Sequence, residues 1–546
     1  MEKIKHIIQP TKVEREKNRR FRIAISYPPM PDEKGTPCLG QNRQFQWFKN
    51  PTYIYPMVPA YAATLLSSQG YDVMWDDGIA EELSQDEWLS RLKKFKPNLI
   101  VFETKTPVVK RHWKLINLLK KESLKIENWK LKIVLVGDHV TAMPEESMES
   151  SQVDVVATGG DWDFLVLNIA NSYNHKEKLE AGIYYRKPEN SKSEIRNSKQ
   201  IRNPKFETNP KSASDSIFDI RYSNFPIHNT GHFELNHILD ELPMIDRDLT
   251  KWKLYAFKNG NYKVTPGTYT FSARDCWWGK CTFCSWTTLY PGKDYRKHSV
   301  KRMLDEIGIL IEKYKVKEIM DDAGSFPIGP WLKEFCDGMI KRGYNNKIRL
   351  DCNMRLKSLN QDEYNLMRKA GFRFILYGLE SANQNTLNRI NKNLKVAEIE
   401  KGLAMAKKAG LDPHITTMMG YPWETLEDAK RTIALSKKLF DKGYVDTLQA
   451  TIVIPYPGTP LFRECQKNGW LTTENWDDFD QRTVVMKSDL SEKDIKELAQ
   501  GLYKSFVSPK FIWRKIIGIR SVNDIKFLFR AAGKLFGHLV DFSSKT

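Results

Sequence analysis

The feature that most limits the fold is an alternation, met twice along the chain, of short apolar runs with amphipathic stretches of helical period. In the first series, "FRIAISYPP" (21–29), "YDVMWDD" (71–77), "PNLIVFETKTP" (97–107), "LKIVLVGDHV" (131–140) and "VDVVATGG" (153–160) read as strands. "MVPAYAATLLSSQG", residues 84–95 and "HWKLINLLKKES" read as the helices between them. Continuous apolar strands require both sheet faces to be covered, and helices between strands supply that cover. The expectation is α/β: a doubly wound, Rossmann-like parallel sheet over residues 21–175. Such sheets take ligands outside the carboxyl ends of their strands.

The second series covers 263–470. Strand candidates are "GTYTFSA", "KEIMDD", "KIRLDCN", "RFILYGLE", "HITTMMG" and "TLQATIVIP", with helical stretches at 299–314, 330–342, 361–370, 383–409 and 425–441. Six strands and five helices fit a partial (β/α)6 TIM-like barrel. Polar groups fall at the carboxyl ends of these strands, where barrel sites are built. They are Asp321 and Asp322, Asn353 and Arg355, Glu380, Gly420 with Glu424, and Pro455-Tyr456. Residues 1–20 read as a basic leader and 176–262 as a linker holding a polar insertion at 187–215. Residues 471–546 read as a small helical region. Within it, 511–542 alternates apolar and basic residues as an amphipathic pair that packs on the barrel or touches a membrane.

The net charge is +19, yet no zinc finger, RNP-type motif or dense arginine cluster points to nucleic acid. No apolar run is long enough to span a membrane and no secretory signal precedes the first strand, so a cytoplasmic place is expected. Seven cysteines, unevenly spread, do not make a disulfide framework.

Three of the seven crowd into "SARDCWWGKCTFCSW" (272–286): Cys276, Cys281 and Cys284. Thiolates ligate zinc, copper(I) or iron–sulfur clusters. A structural zinc site needs a fourth ligand, and His298 lies fourteen residues beyond Cys284 without finger spacing. A trio of buried structural thiols is the bland alternative. A four-iron, four-sulfur (4Fe-4S) cluster on three cysteines leaves one iron open. Cys336 and Cys352 read as ordinary buried thiols.

With Phe283 just before the last cysteine, and with the loop following the first barrel strand, the segment resembles the radical S-adenosylmethionine (SAM) superfamily. Its spacing is four residues, then two, where that family usually has three, then two. The resemblance implies a 4Fe-4S cluster on Cys276, Cys281 and Cys284 and SAM chelated to the open iron. It also implies reductive cleavage to a 5′-deoxyadenosyl radical. "MDDAGSF", "CNMRLKSL", "LYGLESAN" and "MMGYPWET" resemble that family's later strand ends. They would place Asp321, Asp322, Arg355, Glu380 and Gly420 with Phe283 around SAM.

The first series, followed by "ELPMIDRDL", resembles the cobalamin-binding domain of cobalamin-dependent radical SAM enzymes. The resemblance places Thr104, Thr106, Gly137, Asp138, His139, Gly159 and Gly160 around cobalamin. The Asp-x-His-x-x-Gly motif that ligates cobalt is missing from residues 1–175. The activity implied is methylation of an unactivated carbon in a small-molecule or lipid-like substrate, with an electron donor such as flavodoxin or ferredoxin. Alternatives are a radical cyclase, oxidase or rearrangement enzyme, or a non-catalytic corrinoid- or metal-binding module. No catalytic acid or base is readable.

Overall fold

The computed structural model describes residues 4–39, 45–186, 226–292, 295–505 and 508–541. Strands β1 Arg22–Tyr27, β2 Asp72–Asp77, β3 Leu99–Thr104, β4 Lys132–Gly137 and β5 Val155–Ala157 run parallel in the order β2-β1-β3-β4-β5. The order reverses between β1 and β3, which makes the switch point at which such sheets bind ligands.

Alternate residues divide between two faces, as strand geometry requires. Ile23, Ile25, Val101 and Val136 pack with helices α1 Met57–Ser68 and α4 Trp162–His175. Ala24, Ile100, Phe102 and Leu135 pack with α2 Gln85–Phe95 and α3 Val109–Leu124. The sheet is doubly wound, as the apolar runs predict.

It is also wider than predicted. Strands β6 Ile183–Arg186 and β7 Ile227–Asn229 extend it antiparallel from β5. Both lie in the stretch expected to be a linker. They are short and half-exposed, so they carry no apolar run by which to recognise them. The polar insertion expected at 187–215 lies outside the described residues. A small antiparallel hairpin, Thr36–Cys38 with Gln46–Phe48, is a further addition.

The second sheet has six parallel strands in chain order: β8 Gly267–Thr270, β9 Glu318–Asp321, β10 Arg349–Met354, β11 Phe372–Glu380, β12 Asp412–Met419 and β13 Thr447–Ile452. Helices Val300–Glu312, Pro330–Lys341, Gln361–Lys369, Val396–Lys408 and Leu426–Asp441 alternate with them. This is the partial barrel read from the sequence, with one correction. The helical stretch 383–409 is two helices, Gln384–Arg389 and Val396–Lys408. Between them Asn391 and Asn393 take left-handed φ of 53° and 49°, a conformation that asparagine tolerates and a helix does not.

At the amino ends of the barrel strands, Arg373 is buried between two carboxylates. Its Nε donates to Glu318 at 2.8 Å and a terminal nitrogen to Asp351 at 2.9 Å. Removing one partner of a buried pair leaves an uncompensated charge. Arg373→Met is expected to lose about 3–5 kcal/mol of stability, read as a melting point several degrees lower. An unchanged melting point would contradict that reading of the barrel floor.

Candidate active site

The two sheets meet at their carboxyl ends. The chain leaves β8 through Ala273–Arg274, which pairs antiparallel with Arg296–Lys297 and so closes a loop carrying all three clustered cysteines. Both arginines reach the start of α4. Arg274, 1% exposed, donates to Asp161 at 2.9 Å and to Asp163 at 2.8 Å. Arg296 donates to both oxygens of Asp161, at 2.6 and 2.8 Å. Burial opposes ionisation of Asp161, but Arg296 and Arg274 overcome it and hold the carboxyl below its usual range. The cysteine loop is thereby fixed to the first sheet.

Close backbone approach fixes it further. A Cβ at Gly324, just past β9, would sit 2.9 Å from the Asp275 carbonyl and 3.0 Å from Cys276 Cβ. Trp278 Nε1 donates to the Asn391 carbonyl at 2.7 Å and Thr282 N to the Ile390 carbonyl at 3.1 Å. The loop therefore leans on the break between the two helices after β11.

Cys276, Cys281, Cys284 and Phe283 line a cleft of about 1130 Å³, its open mouth included. Asn353, Arg355, Glu380, Thr416 and Gln449 from the barrel strand ends line it too. Two buried cations serve this wall. An Arg355 terminal nitrogen lies 4.0 Å from Cys281 Sγ, and its guanidinium sits 4.7 Å from the Trp278 ring and 5.4 Å from that of Trp277. Lys392 Nζ donates to Glu380 Oε1 at 2.7 Å, both side chains buried. Burial pushes the Cys281 thiol up, and Lys392 and Arg355 pull it back. Burial also pushes Cys336 up to about 12 and raises Cys352 well above the usual thiol range, with no cation to offset it. Those two are the inert core thiols that the sequence implied.

Among the described residues no three His, Cys, Asp or Glu side chains converge on a single metal ion. A cluster, in which each thiolate takes a different iron, does not need such convergence.

The residues expected around SAM do not all reach this cleft. Phe283, Arg355 and Glu380 line it; Asp321, Asp322 and Gly420 are not among its lining. Asp321 accepts from the Thr270 hydroxyl, from Ser272 N and Oγ, and from Ala323 N, at 2.7–3.2 Å. Those bonds staple β9 to the strand before the cysteine loop, while burial pushes the carboxyl up to about 6. The Asp322 amide bonds the Thr270 carbonyl at 2.9 Å. Gly420, at φ 92°, faces Ile495 of the C-terminal region. Lys392 is the residue that sequence reading missed. It sits in a stretch that reads as one helix in the sequence, and only the break at Asn391 and Asn393 brings it to Glu380.

Thr104, Thr106, Gly137, Asp138 and His139 stand together on the carboxyl edge of β3 and β4. Thr104 Oγ1 is 2.9 Å from His112 Nδ1, and Thr106 Oγ1 is 3.2 Å from His139 Nδ1. The His139 ring packs edge-on to Trp476, and its Nε2 is 3.1 Å from Glu146. Lys105 Nζ is 3.4 Å from Asp138. Gly159 and Gly160 were expected to line a groove; they lie instead against side chains. A Cβ on Gly160 would fall 2.1 Å from the Tyr290 ring, and one on Gly159 2.5 Å from Phe233. The lack of a side chain on Gly160 serves the packing of the cysteine loop on the sheet, and that on Gly159 the packing of Phe233. Thr287, Tyr456 and Gln481 are among the cleft's walls. Burial raises the Tyr456 hydroxyl, and the nearby Asp138 carboxylate of the first sheet adds to the shift.

Residues 272–436 match the radical SAM superfamily. The chain carries a radical SAM domain. It is 27% identical over 480 residues to a protein named uncharacterized methyltransferase PH0819, of Pyrococcus horikoshii, covering 84% of this chain and 90% of that one. It is 23% identical over 467 residues to an anaerobic magnesium-protoporphyrin IX monomethyl ester cyclase of Rubrivivax gelatinosus, covering 83% and 74%. Its fold is that of TsrM from Kitasatospora setae, a radical SAM methyltransferase solved with cobalamin and an iron–sulfur cluster bound. There the TM-score is 0.63 at 12% identity, over 95% of this chain and 99% of the other. The radical SAM domain and the sheet ahead of it thus occur together elsewhere in one fold.

Lys392 is the test of this cleft's electrostatics. Lys392→Met leaves Glu380 buried without its cation, a change of about 3–5 kcal/mol. The double variant Lys392→Met/Glu380→Gln is expected to recover much of that loss. Equal melting points for the single variant and the wild type would contradict the pairing.

Proposed function

We propose that this chain is a radical SAM enzyme that uses a 4Fe-4S cluster and cobalamin to methylate an unactivated carbon of a small-molecule or lipid-like substrate. The observation that carries the reading is the convergence of the cysteine loop and the carboxyl edge of a 2-1-3-4-5 sheet on one junction. The residues fit both groups. Three thiols share a cleft with three cations, Lys280, Arg355 and Lys392, which suits an anionic thiolate cluster. At the junction, Thr288 Oγ1 is buried without a hydrogen-bond partner, on the wall that faces Ala142 and Gly458. A polar atom so placed favours a ligand there that can bond to it.

Bound there, the cluster supplies the electron that cleaves SAM, and cobalamin supplies the methyl group. Cys276, Cys281 and Cys284 would hold three irons and leave the fourth to SAM. Arg355, stacked on Trp277 and Trp278, places positive charge beside Cys281 and suits the SAM carboxylate. Glu380, oriented by Lys392, suits the ribose hydroxyls. Asp321 would act through its grip on Ser272 and Ala323, shaping the cysteine loop, and Asp322 and Gly420 through the strand ends they terminate. Thr104, Thr106, Gly137, Asp138 and His139 would form the sheet's side of the cobalamin site, with Gly159 and Gly160 admitting the loop above it. Phe283 and Trp286, which line the cleft, would exclude water from a reactive centre.

An electron donor such as flavodoxin or ferredoxin and a peripheral membrane contact through the C-terminal helices belong to the same proposal. No helix among the described residues is long and apolar enough to cross a membrane. The cyclase among the relatives favours a second reading, radical chemistry without methyl transfer.

Anaerobic reconstitution with iron, sulfide and hydroxocobalamin, followed by SAM under reduction, tests the choice. Formation of both 5′-deoxyadenosine and S-adenosylhomocysteine is expected, with 5′-deoxyadenosine lost in Cys281→Ser. 5′-Deoxyadenosine alone would select the second reading, and neither product would contradict both.

A further inference from the structure

Helices α5 Pro509–Ile517 and α6 Val522–Asp541 lie under the barrel, at the amino ends of its strands. Arg514 donates to the Asp441 carbonyl at 3.0 Å, and Lys515 pairs with Asp446 at 2.7 Å, next to the start of β13. Arg530 donates to the Tyr262 carbonyl at 3.0 Å, ahead of β8.

The polarity of α5 is inverted. Its inward face carries Arg514 and Lys515 beside Phe511, whereas Ile512, Trp513, Ile516 and Ile517 point to solvent along one helical stripe. Trp513 is 64% exposed and Ile516 53%. On α6, Val522, Ile525 and Phe529 form a second outward stripe at i, i+3 and i+7, with Phe529 76% exposed. A helix of a water-soluble domain turns its apolar stripe inward. Here seven of the sixteen exposed large apolar side chains among the described residues fall within 512–529. Contiguous exposure of that kind marks a contact surface.

Charge selects what the contact is. Between Ser508 and Gly533 there are six cations and one acid, and that acid, Asp524, is held by Lys263 at 2.6 Å. Lys510, Arg520 and Lys526 are exposed around the apolar stripes. A second copy of this face would set like charges against one another. A bilayer bearing anionic headgroups matches both features, taking the apolar side chains to the acyl boundary and the lysines and arginines to the phosphates.

We infer that α5 and α6 form a docking face for an anionic phospholipid surface, seating the floor of the barrel on the membrane. The cysteine cleft opens at the opposite end of the strands, roughly 20 Å away for six-residue strands. The bilayer therefore anchors the enzyme instead of feeding the cleft directly. This inference rests on the peripheral contact proposed above and not on the chemistry of the cleft.

The test is co-sedimentation of the full chain with vesicles of phosphatidylcholine alone or mixed with phosphatidylglycerol. Binding to the mixed vesicles only, weakened by salt, is expected. Ile516→Ser and Phe529→Ser should each weaken it roughly tenfold or more, and Lys526→Gln roughly fivefold, with melting points unchanged because these side chains are exposed. Three results would overturn the inference: a chain left in the supernatant by both vesicles, variants that sediment like the wild type, or a dimer in solution that Ile516→Ser splits. A chain that forms both nucleoside products yet ignores vesicles overturns this inference alone. A chain that binds vesicles without forming S-adenosylhomocysteine supports it and counts only against methyl transfer.

Discussion

Two arginines, the buried Arg274 and the partly buried Arg296, share the carboxylates at the start of α4, and that pairing fixes where the cysteine loop can lie. A buried ion pair adds little net stability over an apolar substitute, so its value here is positional. Arg274 stands two residues before Cys276. Any shift of the first sheet against the barrel would strip its charge of partners. The two sheets are therefore held at one registration, with both carboxyl edges on the same junction.

The cleft continues the same electrostatic logic. Cys281 is the buried member of the trio, and burial alone would keep its thiol protonated. Arg355 and Lys392 counter that at Cys281. The tryptophans beside Arg355 hold its guanidinium through their π faces. Glu380 restrains Lys392 through their ion pair at 2.7 Å. The barrel strands supply these groups from separate ends, which is how this architecture builds a site without a continuous motif.

Much of this was legible in the sequence. Both parallel sheets could be read because a strand covered on both faces is apolar along its whole length. The cysteine trio could be read because three thiols in nine residues have few bland explanations. Other features left no local trace. β6 and β7 are short and half-exposed, so no apolar run announces them. Lys392 reaches Glu380 only because Asn391 and Asn393 break a helix that looks continuous by period. Gly159 and Gly160 looked like a cofactor's floor, but their neighbours are Phe233 and Tyr290, brought there by packing between distant segments. Asp321 looked like a SAM contact, and its oxygens instead hold Ser272 and Ala323. Strand ends are easy to find in a sequence, whereas the direction in which each end's side chain is used is a tertiary fact.

The central claim is that three cysteines hold a cluster with one iron left open to SAM. The most direct test is the electron paramagnetic resonance spectrum of the reconstituted, reduced chain with and without SAM. A reduced 4Fe-4S signal that changes shape when SAM is added is predicted, and replacing Cys276, Cys281 and Cys284 by alanine should abolish it. A cluster signal indifferent to SAM, or one that survives loss of the trio, would contradict the account.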